Sequence, residues 1–102
     1  MSAEFILSFS DDSWYLRNRN DIVNKILSLS TYSKNDGDVY YLSCDEGERD
    51  YCVRLFIENR SLFIEISSHP ASIEKDLNSL FDWIRSQTKI SICDDDGEES
   101  GW

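Results

Sequence analysis

Apolar side chains recur along this chain with two periods, and each period marks a kind of element. Residues 5–10 alternate Phe5, Leu7 and Phe9 with Ile6 and Ser8, the period of a half-buried strand. Asp11, Asp12 and Ser13 stop it. Trp14, Tyr15 and Leu16 follow, and the pattern leaves them unassigned between opening a helix and capping the edge of the core. Asn20 or Asp21 caps a helix running to about residue 30, with Ile22, Ile26 and Leu29 on one stripe and Val23 and Leu27 beside it. Residues 33–38 hold Lys34, Asn35, Asp36 and Gly37, which predicts a turn cluster.

The centre of the chain predicts three strands in meander order, over residues 39–44, 51–58 and 61–67. The pairing of the last two follows if Asn59 and Arg60 form a two-residue turn, with Asn59 tolerating a positive φ. Ile57 then faces Leu62, Leu55 faces Ile64 and Val53 faces Ile66, all on one side. The other side pairs Phe56 with Phe63 and Arg54 with Glu65. An aliphatic face, an aromatic pair and an opposite-charge pair all emerge from one register, and a slip by one residue destroys all three. Extended to the preceding hairpin with Leu42 facing Val53, the same arithmetic puts Tyr40, Leu42 and Cys44 on the aliphatic side. Val39, Tyr41 and Ser43 go to the aromatic side.

Pro70, with Ser72 as a cap, introduces a second helix to about residue 86. Its stripe is Ile73, Leu77, Leu80, Phe81 and Ile84, with Trp83 off it. Residues 89–93 make a last short strand, with Ile90 and Ile92 pointing one way. The order is β-α-β-β-β-α-β. That predicts an α+β fold: a mainly antiparallel five-stranded sheet with two helices on its aliphatic face. Residues 1–93 form a single domain. Residues 94–102 carry five acids among Asp94, Asp95, Asp96, Glu98 and Glu99, and are expected to be a disordered tail.

Charge narrows the function classes. Twenty acidic residues against ten basic ones give a net charge of −10 on 102 residues. Nucleic acid and anionic lipid attract clusters of Lys and Arg, and this chain has none, so direct nucleic-acid or membrane binding is not expected. The field suits a basic partner, or serves solubility. Cys44, Cys52 and Cys93 show neither zinc spacing nor a disulfide framework. Met1, Ser2, Ala3 and Glu4 lack the basic region and long apolar stretch of a leader, so none is expected, and no apolar run approaches the ~20 residues of a membrane span. A reducing cytoplasm with free thiols is the expectation.

Candidate chemistry is sparse. His69 stands before Pro70 at a strand-to-helix junction; a catalytic histidine needs an orienting acid and a substrate pocket, and this one reads as a junction residue near a helix start. No G-x-S-x-G, H-E-x-x-H or P-loop occurs. Asp94, Asp95, Asp96 and Gly97 lack the ligand alternation of a calcium loop. Neither a metal nor a cofactor is expected, and neither is catalysis. Two surfaces remain for a partner. One is the acidic end of the meander, where Asp36 and Asp38 join Asp45, Glu46, Glu48 and Asp50, placed to meet Lys or Arg. The other is the outer sheet face, where Tyr41, Phe56 and Phe63 lie beside Arg54, Val39 and Glu65. If both helices take the opposite face, this patch is exposed and has the composition of an interaction hot spot. If the segment 14–16 or a helix covers it, it is a second core.

In size, acidity, α+β order and lack of catalytic residues, the whole chain resembles the small immunity proteins of bacterial contact-dependent inhibition and other polymorphic toxin systems. No motif carries the resemblance, so no residue role transfers with it. It implies a cytoplasmic protein that binds a cognate toxin domain, often a basic nuclease, and blocks its active site; the sequence leaves the oligomeric state open, with a monomer favoured. A regulatory or adaptor domain binding another protein by its sheet face is a second expectation. A small enzyme or ligand-binding domain with a site assembled only in the fold is a third.

Overall fold

The computed structural model describes residues 3–43 and 51–102. They form β1 (Ala3–Phe9), α1 (Asp12–Leu27), β2 (Tyr32–Asp36), β3 (Val39–Leu42), β4 (Val53–Ile57), β5 (Ser61–Ile66), α2 (Ala71–Gln87) and β6 (Ile90–Asp94). The sheet is antiparallel throughout, with strand order β2-β3-β4-β5-β1-β6. The class is the α+β expected, but the sheet has six strands and not five.

The added strand is β2. Residues 33–38 are polar and exposed, so no hydrophobic period announces them. They pair because Gly37, at φ 59°, opens a two-residue turn that returns the chain as β3. A short, charged, bulged strand is also what suits a sheet edge, where it discourages pairing with another chain.

The central register is the one derived from side-chain pairing. Leu55 faces Ile64, Phe56 faces Phe63 and Arg54 faces Glu65. Leu42 faces Val53 and Val39 faces Phe56. The turn at Asn59 and Arg60 differs in one respect, since no described non-glycine residue has a positive φ.

α1 begins eight or nine residues before the expected cap. Asp11 is its N-cap, accepting hydrogen bonds from the backbone N–H groups of Ser13 and Trp14. The Ser13 hydroxyl also donates to Asp11, and these bonds hold the carboxyl below its ordinary value. The helix bends at Asn18, where φ is −115° and the side-chain amide donates to the Trp14 carbonyl. That bend breaks the apolar stripe, so the periodic part after it looks like a separate helix. Trp14, Tyr15 and Leu16 therefore open α1. α2 starts at Ala71 with Pro70 as N-cap; Ser72 lies inside the helix and does not cap it.

One core lies between the sheet and the two helices. Leu7, Leu42, Val53, Leu55, Leu62 and Ile64 from the sheet are fully buried with Tyr15, Ile22 and Ile26 of α1. Ile73, Leu77, Leu80 and Ile84 of α2 complete it. At about 25 cal/mol per Å² of apolar surface removed from water, this layer is the main source of stability.

The acidic C-terminal segment, residues 94–102, is expected from the sequence to be a disordered tail, and the structure places it against β6 and the end of the core. A turn at Asp94 folds it back on β6: the Asp94 N–H donates to the Glu98 carbonyl at 2.8 Å, and the Ser100 N–H to the Ile92 carbonyl at 3.0 Å. Glu99 bridges Cys93. Trp102 then packs on the end of the core, with its ring 6.1 Å from Phe81 and 6.4 Å from Phe5. Backbone pairing and one aromatic anchor outweigh the repulsion between exposed carboxylates, which water and salt screen.

Candidate functional site

Among the described residues, no helix or loop covers the outer face of the sheet. Both helices bury their apolar sides on the other face, and Tyr41, Phe56 and Phe63 stand outside the core cluster, each half-buried. The segment 14–16 does not cover them. Trp14 stacks on Phe9 and leans on Trp83, Tyr15 is fully buried, and Leu16 lines a groove on the helix side.

Strand registers assemble the face row by row. Val39, Phe56, Phe63, Ile6 and Cys93 are successive cross-strand neighbours and form one apolar row. At about 4.8 Å per strand this row is about 19 Å long. The Phe56 and Phe63 rings meet edge to face at 5.4 Å. Ile6, 40% exposed, belongs to this row. Sequence reasoning missed it because only the tertiary pairing of β1 with β5 brings it beside Phe63.

The next row is Lys34, Tyr41, Arg54, Glu65 and Glu4. Arg54 is its fixed point. Its Nε and one terminal nitrogen donate to Glu65 Oε1 at 2.9 and 2.6 Å, which holds the guanidinium above its ordinary pKa. The same group lies 5.1 Å from the Tyr51 ring centre and 5.4 Å from that of Phe56. Lys34 sits 5.2 Å over Tyr41, whose ring meets Tyr51 at 5.3 Å. The third row, Ser61, Ser8 and Ser91, is small and polar.

The acidic end of the meander is described only in part. Asp36 closes β2 beside the apolar row, opposite Val39, and Asp38 stands in the following turn; both are exposed. Asp45, Glu46, Glu48 and Asp50 lie outside the described residues, as does Cys44.

The remaining candidates show ordinary structural roles. His69 Nδ1 is 2.8 Å from Glu74 Oε1 at the first turn of α2, and the imidazole is largely exposed beside Trp102. Asp94, Asp95 and Asp96 bring their carboxylates within 4.8 Å of one another. Asp94 spends its Oδ1 on the N–H groups of Asp96 and Glu98, and so closes the turn. A groove of about 300 Å³ runs between Glu74, Asn78 and the C-terminal residues 100–102. A second, of about 370 Å³, is bounded by α1, Asp38, Tyr40 and Ile57.

The cysteines depart from the expected set of free thiols. Cys93 is free, on the outer face of β6, but Cys52 is held in a disulfide. Among the described residues, no helix is long and apolar enough to cross a membrane.

Fold and site together define a small α+β domain with a sheet face that no other described residue covers. Compared with known proteins, the chain matches no family model and finds no match among curated proteins.

Proposed function

We propose that this chain is a protein-binding module whose outer sheet face docks a basic partner, and that it acts as an immunity protein on a cognate toxin domain such as a nuclease. The observation that supports this most is the face itself: an apolar row with paired phenylalanines, left uncovered on a molecule of net charge −10. Monomeric soluble domains seldom leave such a row open without an occupant. Carboxylates on an inhibitor substitute for the phosphates a nuclease recognises, and attraction between unlike charges speeds encounter. A basic toxin shielded in this way cannot reach its nucleic acid, so the inhibitor itself needs no reactive group.

A cytoplasmic site of action goes with this reading. The Cys52 disulfide favours an oxidising compartment, and thiol labelling of the chain inside and outside its source cells decides between them. An adaptor domain would use the same face but leave its partner active.

The test is affinity capture from the source cells with wild type and with Phe56→Ala/Phe63→Ala, followed by assay of the captured protein with and without the chain. Capture of a basic protein, its inhibition, and loss of both in the double variant support the proposal. A partner that keeps its activity when bound points to an adaptor. A partner held equally by the double variant removes the sheet face from the function.

A further inference from the structure

The charged row beside the phenylalanines is not uniform, and its order along the face has a consequence for how a partner sits. Lys34 and Arg54 occupy the β2–β4 side, while Glu65 and Glu4 are directly opposed across β5 and β1. Further on, Glu99 lies over β6, accepting from the Ser91 hydroxyl at 3.2 Å. Like charges directly opposed across two strands oppose pairing. Arg54 relieves Glu65 through one oxygen only, since both of its contacts fall on Oε1. Among the described residues no hydrogen bond or ion pair engages the Glu4 carboxylate.

The β1 end of the face is thus an acidic corner whose one cation, Arg54, reaches only Glu65 Oε1 and leaves Glu4 uncompensated, next to the apolar step made by Ile6 and Phe63. The β2 end is capped by cations already seated on aromatic rings. We propose that the partner is oriented by this gradient. A Lys or Arg of the partner pairs with Glu4 and Glu65, while an apolar side chain beside it seats on Ile6 and Phe63. The inference rests on the sheet-face reading above and adds to it the end of the face that carries recognition. It places the acidic anchor at Glu4, across the sheet from the Asp36 and Asp38 end.

The test uses isotope-labelled full-length chain and a short synthetic peptide of alternating Lys and Phe, with a Glu-and-Phe peptide as control. Backbone amide shifts should move, saturably, at residues 4–6, 63–65 and 99, and only with the basic peptide. Glu4→Lys should weaken binding about tenfold, while Asp36→Lys should leave it within about twofold, as expected when one close charge pair dominates. Both substitutions are at exposed positions, and the amide spectrum reports whether each variant is folded. Shifts centred on residues 36–38 or on the helices overturn the proposal. So does equal weakening by the two charge reversals, or no saturable binding at all. Phe56→Ala/Phe63→Ala separates the two levels of the argument. If the peptide binds that variant as tightly as wild type, the sheet-face reading fails as a whole. If the phenylalanines matter but Glu4 does not, only the orientation fails.

Discussion

Tyr15 is the residue on which most of the fold converges. It is fully buried, its ring stacks on Phe9 at 4.6 Å, and its hydroxyl donates to the carbonyls of Glu58 and Ser61 at 2.6 and 3.2 Å. One side chain from the first turn of α1 thus ties down the β4–β5 turn. A buried phenol that donates a hydrogen bond resists ionisation, and burial raises the Tyr15 hydroxyl above its ordinary value near 10. The folded pKa exceeds the unfolded one, so this contribution to stability is complete below pH ~10 and is lost as pH rises toward the folded value. Tyr15→Phe should cost about 0.5–1.5 kcal/mol in urea unfolding at neutral pH, the net worth of one intramolecular hydrogen bond. Its stability should also fall less above pH ~10 than that of wild type. Equal alkaline slopes for the two proteins would show that Tyr15 does not set the transition.

Elements are joined here by polar groups as well as by the core. Asp76 of α2 is buried, and its Oδ2 accepts from the Thr31 N–H at 2.8 Å and the Thr31 hydroxyl at 2.6 Å. The Ser30 hydroxyl adds a third donor at 3.1 Å. This carboxylate fixes the link between α1 and β2, which has few apolar side chains of its own. Asp76→Ala should destabilise by about 1–3 kcal/mol for each buried donor left unpaired, and Asp76→Asn by less. Denaturant midpoints of the two variants check the order. The C-terminal segment is a second such tie. Deleting residues 95–102 removes the strand-like cover on β6 and the Trp102 ring from Phe81 and Phe5. A thermal midpoint several degrees below wild type is expected, since ~1 kcal/mol moves a domain of this size by about 4–8 °C. An unchanged midpoint would show that the segment only rests on the fold.

At the scale of the whole molecule, charge and the apolar row divide the work of binding. A net charge of −10 acts at a distance and is screened beyond ~10 Å at 0.1 M ionic strength. The phenylalanines act only on contact. With the captured partner in hand, the association rate should fall steeply with added salt, and Glu4→Lys should slow it further. Truncation of Phe56 or Phe63 should mainly speed dissociation, because a lost anchor shortens the life of a complex already formed. Stopped-flow association and surface-based dissociation rates separate the two effects. An association rate indifferent to salt would assign the charge to solubility alone.

The meander register was legible in the sequence because three kinds of pair agree on it: Leu55 with Ile64, Phe56 with Phe63, Arg54 with Glu65. Periodicity likewise gave α2, whose stripe runs without a break. Local pattern failed where local chemistry and tertiary context disagree. β2 is polar and exposed, so only its hydrogen bonds to β3 make it a strand. The stripe of α1 is interrupted by the bend at Asn18, and the C-terminal segment looks disordered until Trp102 finds Phe81. The outer face follows the same division. Alternation along each strand decided that Tyr41, Phe56 and Phe63 share a side. The placing of both helices on the other side, and of Ile6 and Glu4 next to Phe63 and Glu65, was decided by which strands pair across long sequence separations. Period-two alternation fixes faces within a strand, whereas neighbours between strands are chosen by burial of the whole core, a quantity no short stretch of sequence contains.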